Sequence, residues 1–112
     1  MNATALTEDR LDLVFQALAN RTRRALLQRL AQGAEKVTSL AEPFGMSLNA
    51  ISKHLRVLEA AGLVKRTVKG RVHTCALEAA PMATAEEWLS FYEEFWKQKL
   101  DRFAEFVEAE QE

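Results

Sequence analysis

Apolar side chains along this chain recur mostly at helical spacing, and the interruptions fall at residues that cap or break helices. Leu11, Val14, Phe15 and Leu18 form the first stripe, with Thr7-Glu8-Asp9 as its expected start, an N-cap followed by an acidic first turn. Asn20 is placed to cap a second helix that runs to about Gln32, with Leu26, Leu27 and Leu30 inward and Gly33 as its stop. Thr38 to Phe44 reads as a short third helix strained by Pro43. Gly45-Met46 makes a turn, and Ser47 caps a fourth helix. In that helix Ile51, Leu55, Leu58 and Gly62 share one side, while Asn49, Ser52, Lys53 and Arg56 share the other.

The pattern then changes. Leu63 to Leu77 reads as two short strands around Lys69-Gly70-Arg71, which predicts a hairpin with Lys69-Gly70 at its tip. Lysine is a poor residue for a positive φ, so a bulged turn and a tight two-residue turn both remain open. Pro81 separates the hairpin from a last helix, where Thr84 and Glu87 have the spacing of a capping box. No breaker follows until about Glu108, which predicts about 25 helical residues, roughly 37 Å. The expected architecture is mainly α with a small β-hairpin: five helices in one domain covering residues 1–112. Two helices joined by a short Gly-containing turn make the centre a helix-turn-helix pattern.

The last helix carries too much apolar surface for one core. Seven of the nine aromatic residues lie in it: Trp88, Phe91, Tyr92, Phe95, Trp96, Phe103 and Phe106. With Leu89, Leu100 and Val107 they exceed the roughly 100° stripe that a surface helix buries. A second surface is therefore expected, and the simplest is another copy of the chain across a two-fold axis.

The net charge of −1 hides a segregation. Residues 20–73 hold eleven Lys/Arg against three acidic residues, and the rest of the chain holds four against thirteen. A basic centre between acidic flanks points to a polyanion. Asn49, Ser52, Lys53 and Arg56 are the kinds of side chain that reach base edges and phosphates in a major groove. Ser47 and His54 stand beside them, and Lys69 and Arg71 at the hairpin tip suit phosphate or the minor groove. Double-stranded DNA is thus the expected ligand.

Catalysis is not expected, because there is no glycine-rich phosphate loop, no nucleophile elbow, and no Ser or Cys with an evident His–acid partner. His54, His73 and Cys75 lack a metal-ligand spacing, so no metal or other cofactor is expected. Glu86, Glu87, Glu93, Glu94 and Asp101 read as a solvated outer face. Cys75, in phase with Leu77, reads as a small buried residue; a single cysteine and the absence of a signal peptide or membrane-length apolar run fit the cytoplasm.

Taken in order, Ala17-Leu18-Ala19-Asn20-Arg21-Thr22-Arg23, Ser47-Leu48-Asn49-Ala50-Ile51-Ser52-Lys53-His54-Leu55, Leu58-Glu59-Ala60-Ala61-Gly62-Leu63-Val64 and Gly70-Arg71 resemble the ArsR/SmtB family of bacterial winged-helix repressors. The resemblance covers about Leu11 to Glu108. It implies a homodimer built on the first and last helices, which would place Leu11, Val14 and Phe15 with Trp88, Phe91, Tyr92, Phe95, Trp96 and Phe103 at the interface. It further implies the fourth helix in the major groove, the hairpin as wing, and repression by blocking a promoter, often the protein's own. Two-fold symmetry would then favour an inverted-repeat operator read in successive grooves roughly 34 Å apart.

The metal-sensing branch has two cysteines where this chain has Lys36 and Thr38, so the resemblance is to a branch without them, and any small-molecule effector is unknown. Two other readings stand beside it. One is a protein-interaction module that uses the aromatic last helix to hold a different protein, and the other is a metal- or thiol-responsive repressor.

Overall fold

The computed structural model of the chain describes residues 3–111. Helix α1 (Ala3–Leu18) begins four residues before the expected start at Thr7, which lies inside it. Helix α2 (Arg21–Leu30) follows after two residues, and Asn20 caps it by accepting from the Arg23 amide at 3.0 Å. The junction is closed by two arginines of α2. Arg23 donates Nε to the Ala17 carbonyl at 2.7 Å and Nη2 to the Gln16 carbonyl at 2.8 Å, while Arg24 donates to the Leu18 carbonyl at 2.7 Å. The Ala17 and Leu18 carbonyls end α1 without backbone partners, the Gln16 carbonyl also accepts from the Ala19 amide at 3.3 Å, and cations there suit the negative end of the helix dipole.

A two-residue strand, β1 (Glu35–Lys36), precedes α3 (Val37–Ala41). The expected third helix from Thr38 to Phe44 is thus shorter, and Glu42–Phe44 winds more tightly as a 3₁₀ turn that accommodates Pro43 near its start. Helix α4 (Leu48–Ala60) is capped by Ser47, whose Oγ accepts from the Ala50 amide at 3.2 Å. Gly62, at φ 76°, ends it in a left-handed conformation, with the Leu63 amide donating to the Leu58 carbonyl and Gly62 to Glu59, both at 2.9 Å.

Strands β2 (Val64–Lys69) and β3 (Val72–Leu77) pair antiparallel from Val64↔Leu77 to Lys69↔Val72. The loop is therefore the tight two-residue kind, Gly70-Arg71, with Lys69 ending its strand. Gly70 has φ 63°, and among the described residues no other residue type takes a positive φ, the pattern of a type II′ rather than a type I′ turn. β1 adds to the outer edge of β3, giving the order β1-β3-β2.

The C-terminal region is two helices rather than one, α5 (Ala80–Ser90) and α6 (Glu93–Gln111). α5 starts ahead of the expected Thr84 cap, and Pro81 sits in its first turn, where a missing amide proton costs nothing. At the break, the Ser90 hydroxyl donates to the Glu87 carbonyl at 2.9 Å. That carbonyl is the acceptor Phe91 would use to continue the helix, and such side-chain competition bends helices.

One apolar cluster joins α1, α2, α3, α4, the base of the hairpin and α5. Leu26, Leu40, Ile51, Leu55, Leu58 and Leu63 are fully buried within it. Val14, which the resemblance placed at a subunit interface, is 1% exposed and belongs to this core. It lies beside the end of α4 (Glu59–Ala60) and the first turns of α5 (Ala80, Pro81, Thr84), while Leu11 and Phe15 on the same helix are half-buried. Among the described residues no helix is long and apolar enough to cross a membrane.

Candidate nucleic-acid interface

The division of α4 into two faces follows from its burial. Ile51, Leu55 and Leu58 are sunk in the core, which leaves Asn49, Lys53 and Arg56 exposed and Ser52 half-buried. Ser47 is exposed at the N-terminus of the helix, although its Oγ is engaged in the cap. The side chains at 49, 53 and 56 thus share a solvent-facing surface one helical turn apart, as groove reading requires.

His54 is placed differently. It is half-buried at the edge of α4, and its Nδ1 lies 3.5 Å from Arg23 Nη1 on α2. Burial, and then the Arg23 charge, holds its imidazole below the ordinary histidine pKa. An arginine can only donate, so this contact requires an unprotonated Nδ1.

Lys69 and Arg71 are both exposed at the hairpin tip. Arg71 also lines a cleft of about 400 Å³ between the hairpin and the start of α4. Lys36, Thr38, Ser52 and His73 share that cleft, with Leu48 and Val72 as its apolar walls. The sequence reading gave Lys36, Leu48 and Val72 no role at this surface. An exposed leucine in the first turn of α4 was the available signal, since the core-facing stripe begins only at Ile51.

The basic excess of the centre is only partly free. Arg29 forms a two-pronged pair with Glu35, at 2.5 and 2.9 Å, and its guanidinium holds the Glu35 carboxyl below the usual carboxylate range. Arg66 pairs with Glu59 at 2.7 Å. With Arg23 and Arg24 spent on carbonyls, the exposed cations of the α4–hairpin region are Lys36, Lys53, Arg56, Lys65, Lys69 and Arg71.

Cys75 is fully buried, and burial pushes its thiol up from the ordinary value, away from the reactive thiolate. Among the described residues no three His, Cys, Asp or Glu side chains converge as metal ligands.

The C-terminal arm contrasts with all of this. From Glu86 to Glu110 every residue is exposed. Trp88, Phe91, Tyr92, Phe95, Trp96 and Phe103 are among them, Phe91 at 79% and Phe103 at 65%. Trp96, Leu100, Phe103 and Val107 form an exposed stripe along α6 that belongs to no part of the buried core.

Comparisons with known proteins agree with the geometry. Residues 18–67, from the end of α1 to the hairpin, match a family model described as a helix-turn-helix domain. The HTH-type transcriptional regulator Rv2034 of Mycobacterium tuberculosis is 35% identical over 99 residues, covering 88% of this chain and 90% of that protein. A crystal structure of the ArsR family transcriptional regulator RHA00566 is 43% identical with a TM-score of 0.75, over 80% of this chain and 93% of that one. A homodimeric winged helix-turn-helix DNA-binding domain from Mycobacterium bovis, solved by NMR, is 29% identical with a TM-score of 0.66, over 85% and 90%. The chain belongs to the ArsR family of winged helix-turn-helix proteins and is a DNA-binding transcriptional regulator.

Proposed function

We propose that the protein is a cytoplasmic homodimeric repressor that binds an inverted-repeat operator through α4 and the hairpin and dimerises through its C-terminal arm. In this reading residues 1–112 form one DNA-binding domain. Asn49, Ser52, Lys53 and Arg56 enter the major groove, Ser47 and His54 flank them, and Lys69 and Arg71 hold the backbone. Leu11 and Phe15 join the aromatic residues of the arm in the dimer, whereas Val14 serves only the core. The observation that carries the reading is that α4 buries Ile51, Leu55 and Leu58 and leaves Asn49, Lys53 and Arg56 exposed beside a basic hairpin tip.

Support for the dimer comes from the uncovered aromatic arm and from the homodimeric state of the M. bovis relative. Repression follows from size: two subunits on adjacent grooves cover a stretch of duplex, which blocks polymerase where operator and promoter overlap.

Affinity is expected to come mainly from phosphate neutralisation and discrimination from α4. Anisotropy titrations on a duplex selected from a randomised library should show log affinity falling linearly with log salt. Arg56→Ala should weaken binding by about 1–3 kcal/mol and relax preference at one base pair if it reads a base. Salt-independent affinity, or an unchanged selected sequence for Arg56→Ala, contradicts these assignments.

A further inference from the structure

We propose that Arg66 is a positioning residue, a latch that fixes the tilt of the hairpin against the C-terminal end of α4. Its consequence for binding rests on the DNA-binding role of α4 and the hairpin; its geometry does not. Three elements meet on this one guanidinium. From β2, Arg66 donates Nε to Glu59 Oε1 of α4 at 2.8 Å, and Nη2 approaches the same oxygen at 2.7 Å. Nη1 lies 3.3 Å from Nδ1 of His73, the diagonal neighbour on β3. The Arg66 and Glu59 side chains are only 20% and 30% exposed, so water competes weakly for the pair.

The hairpin needs such a fixture. On the β3 side the root is held by pairing with β1 at Cys75 and Thr74 and by the burial of Cys75. But β2 is the far edge of the sheet, where buried Leu63 and Val64 hold it to the body by apolar contact, which carries little directionality. The tip lies a further five or so residues out, about 17 Å at strand spacing, so a small change of tilt at the root displaces it by ångströms. The Arg66 fork is planar and rigid, and it ties the strand pair to the same helix that carries Asn49 and Arg56. With the latch closed, Lys69 and Arg71 stand in a set relation to the reading face before DNA arrives. Without it, that relation has to be ordered on binding, which subtracts from specific affinity.

Glu59 makes the idea decidable, because a carboxylate beside a polyanion site is otherwise a liability. Simple electrostatics expects Glu59→Ala to tighten DNA binding, and alanine is the better helix former. The latch expects the opposite. For Glu59→Ala, affinity for the selected operator should fall about tenfold, while affinity for an unrelated duplex stays equal or rises. Hydrogen exchange of the hairpin amides should quicken in the free protein. Arg66→Lys, which keeps the charge and loses the fork, should repeat both effects. Operator binding by Glu59→Ala that is unchanged or tighter overturns the proposal, and so does unaltered hairpin exchange. If the wild-type protein binds no duplex at all, the DNA reading fails, and the exchange measurement still decides the latch.

Discussion

Phe15 on α1 and Trp88 on α5 meet edge to face, with ring centroids 5.7 Å apart and planes at 75°. This contact lies where the helical body gives way to the exposed arm, since Ala85 is buried and no residue from Glu86 to Glu110 is. Trp88 continues the stack to Tyr92 at 4.9 Å, across the break between α5 and α6. The pair therefore sets the direction in which the arm leaves the body. A double-mutant cycle with Phe15→Leu and Trp88→Leu, read by denaturant unfolding, should give a coupling of about 0.5–1.5 kcal/mol. Additive single effects would show that the rings share a surface without depending on each other.

The arm is expected to hold two subunits together. Replacing Trp96 and Phe103 by serine removes two rings from a stripe that contributes nothing to its own subunit's core. Sedimentation equilibrium should show the wild type as a dimer and the double variant as a folded monomer with unchanged helical circular dichroism. A wild-type monomer would instead favour a different protein as the occupant of the arm.

Arg23 couples α1 to α4 by satisfying two terminal carbonyls and meeting His54. Arg23→Met keeps much of the aliphatic stem and removes the donors. Stability should drop by about 1–3 kcal/mol, mostly the cost of leaving the part-buried Ala17 carbonyl without its donor, since Gln16 keeps the Ala19 amide; the drop is measured as a shift in the denaturation midpoint with unchanged slope.

His54 gives this coupling a pH dependence. Its folded-state pKa lies below the unfolded value of about 6.5, so the unfolded chain binds the proton more readily. The contribution to stability is present above that value and is lost as pH falls through the depressed one. Unfolding free energies measured across this interval should fall toward acid in the wild type, and the fall should shrink in His54→Gln. Equal slopes for the two proteins would remove His54 as the source.

Much of this was legible in the residues. The spacing of Ile51, Leu55 and Leu58 identified the buried side of α4, and hence the exposed one, because helical period and core burial are the same fact seen twice. Ser47 marked its start for an equally local reason. Most of what escaped the reading depended on partners that no helical or strand period brings together. β1 is two residues long, too short for any period, and exists because Glu35 and Lys36 pair with Cys75 and Thr74. Arg23 and Arg66 look like any surface arginine until the carbonyls of α1 and the carboxylate of Glu59 are in place. Thr84 and Glu87 carried a capping spacing inside a helix that begins at Ala80, and Pro81, read as a breaker, serves as a first-turn residue. The division at Phe91-Tyr92 involves the Ser90 hydroxyl, a competition that apolar periodicity does not register.

Stoichiometry and spacing on DNA test the whole account most directly. On a selected inverted repeat, titration at concentrations well above the dissociation constant should saturate at two chains per duplex. Inserting about five base pairs, half a helical turn, between the half-sites should abolish specific binding, because the two α4 helices would then face opposite sides of the duplex. Saturation at one chain per duplex, or a half-site bound as tightly as the full repeat whatever the spacing, would contradict it.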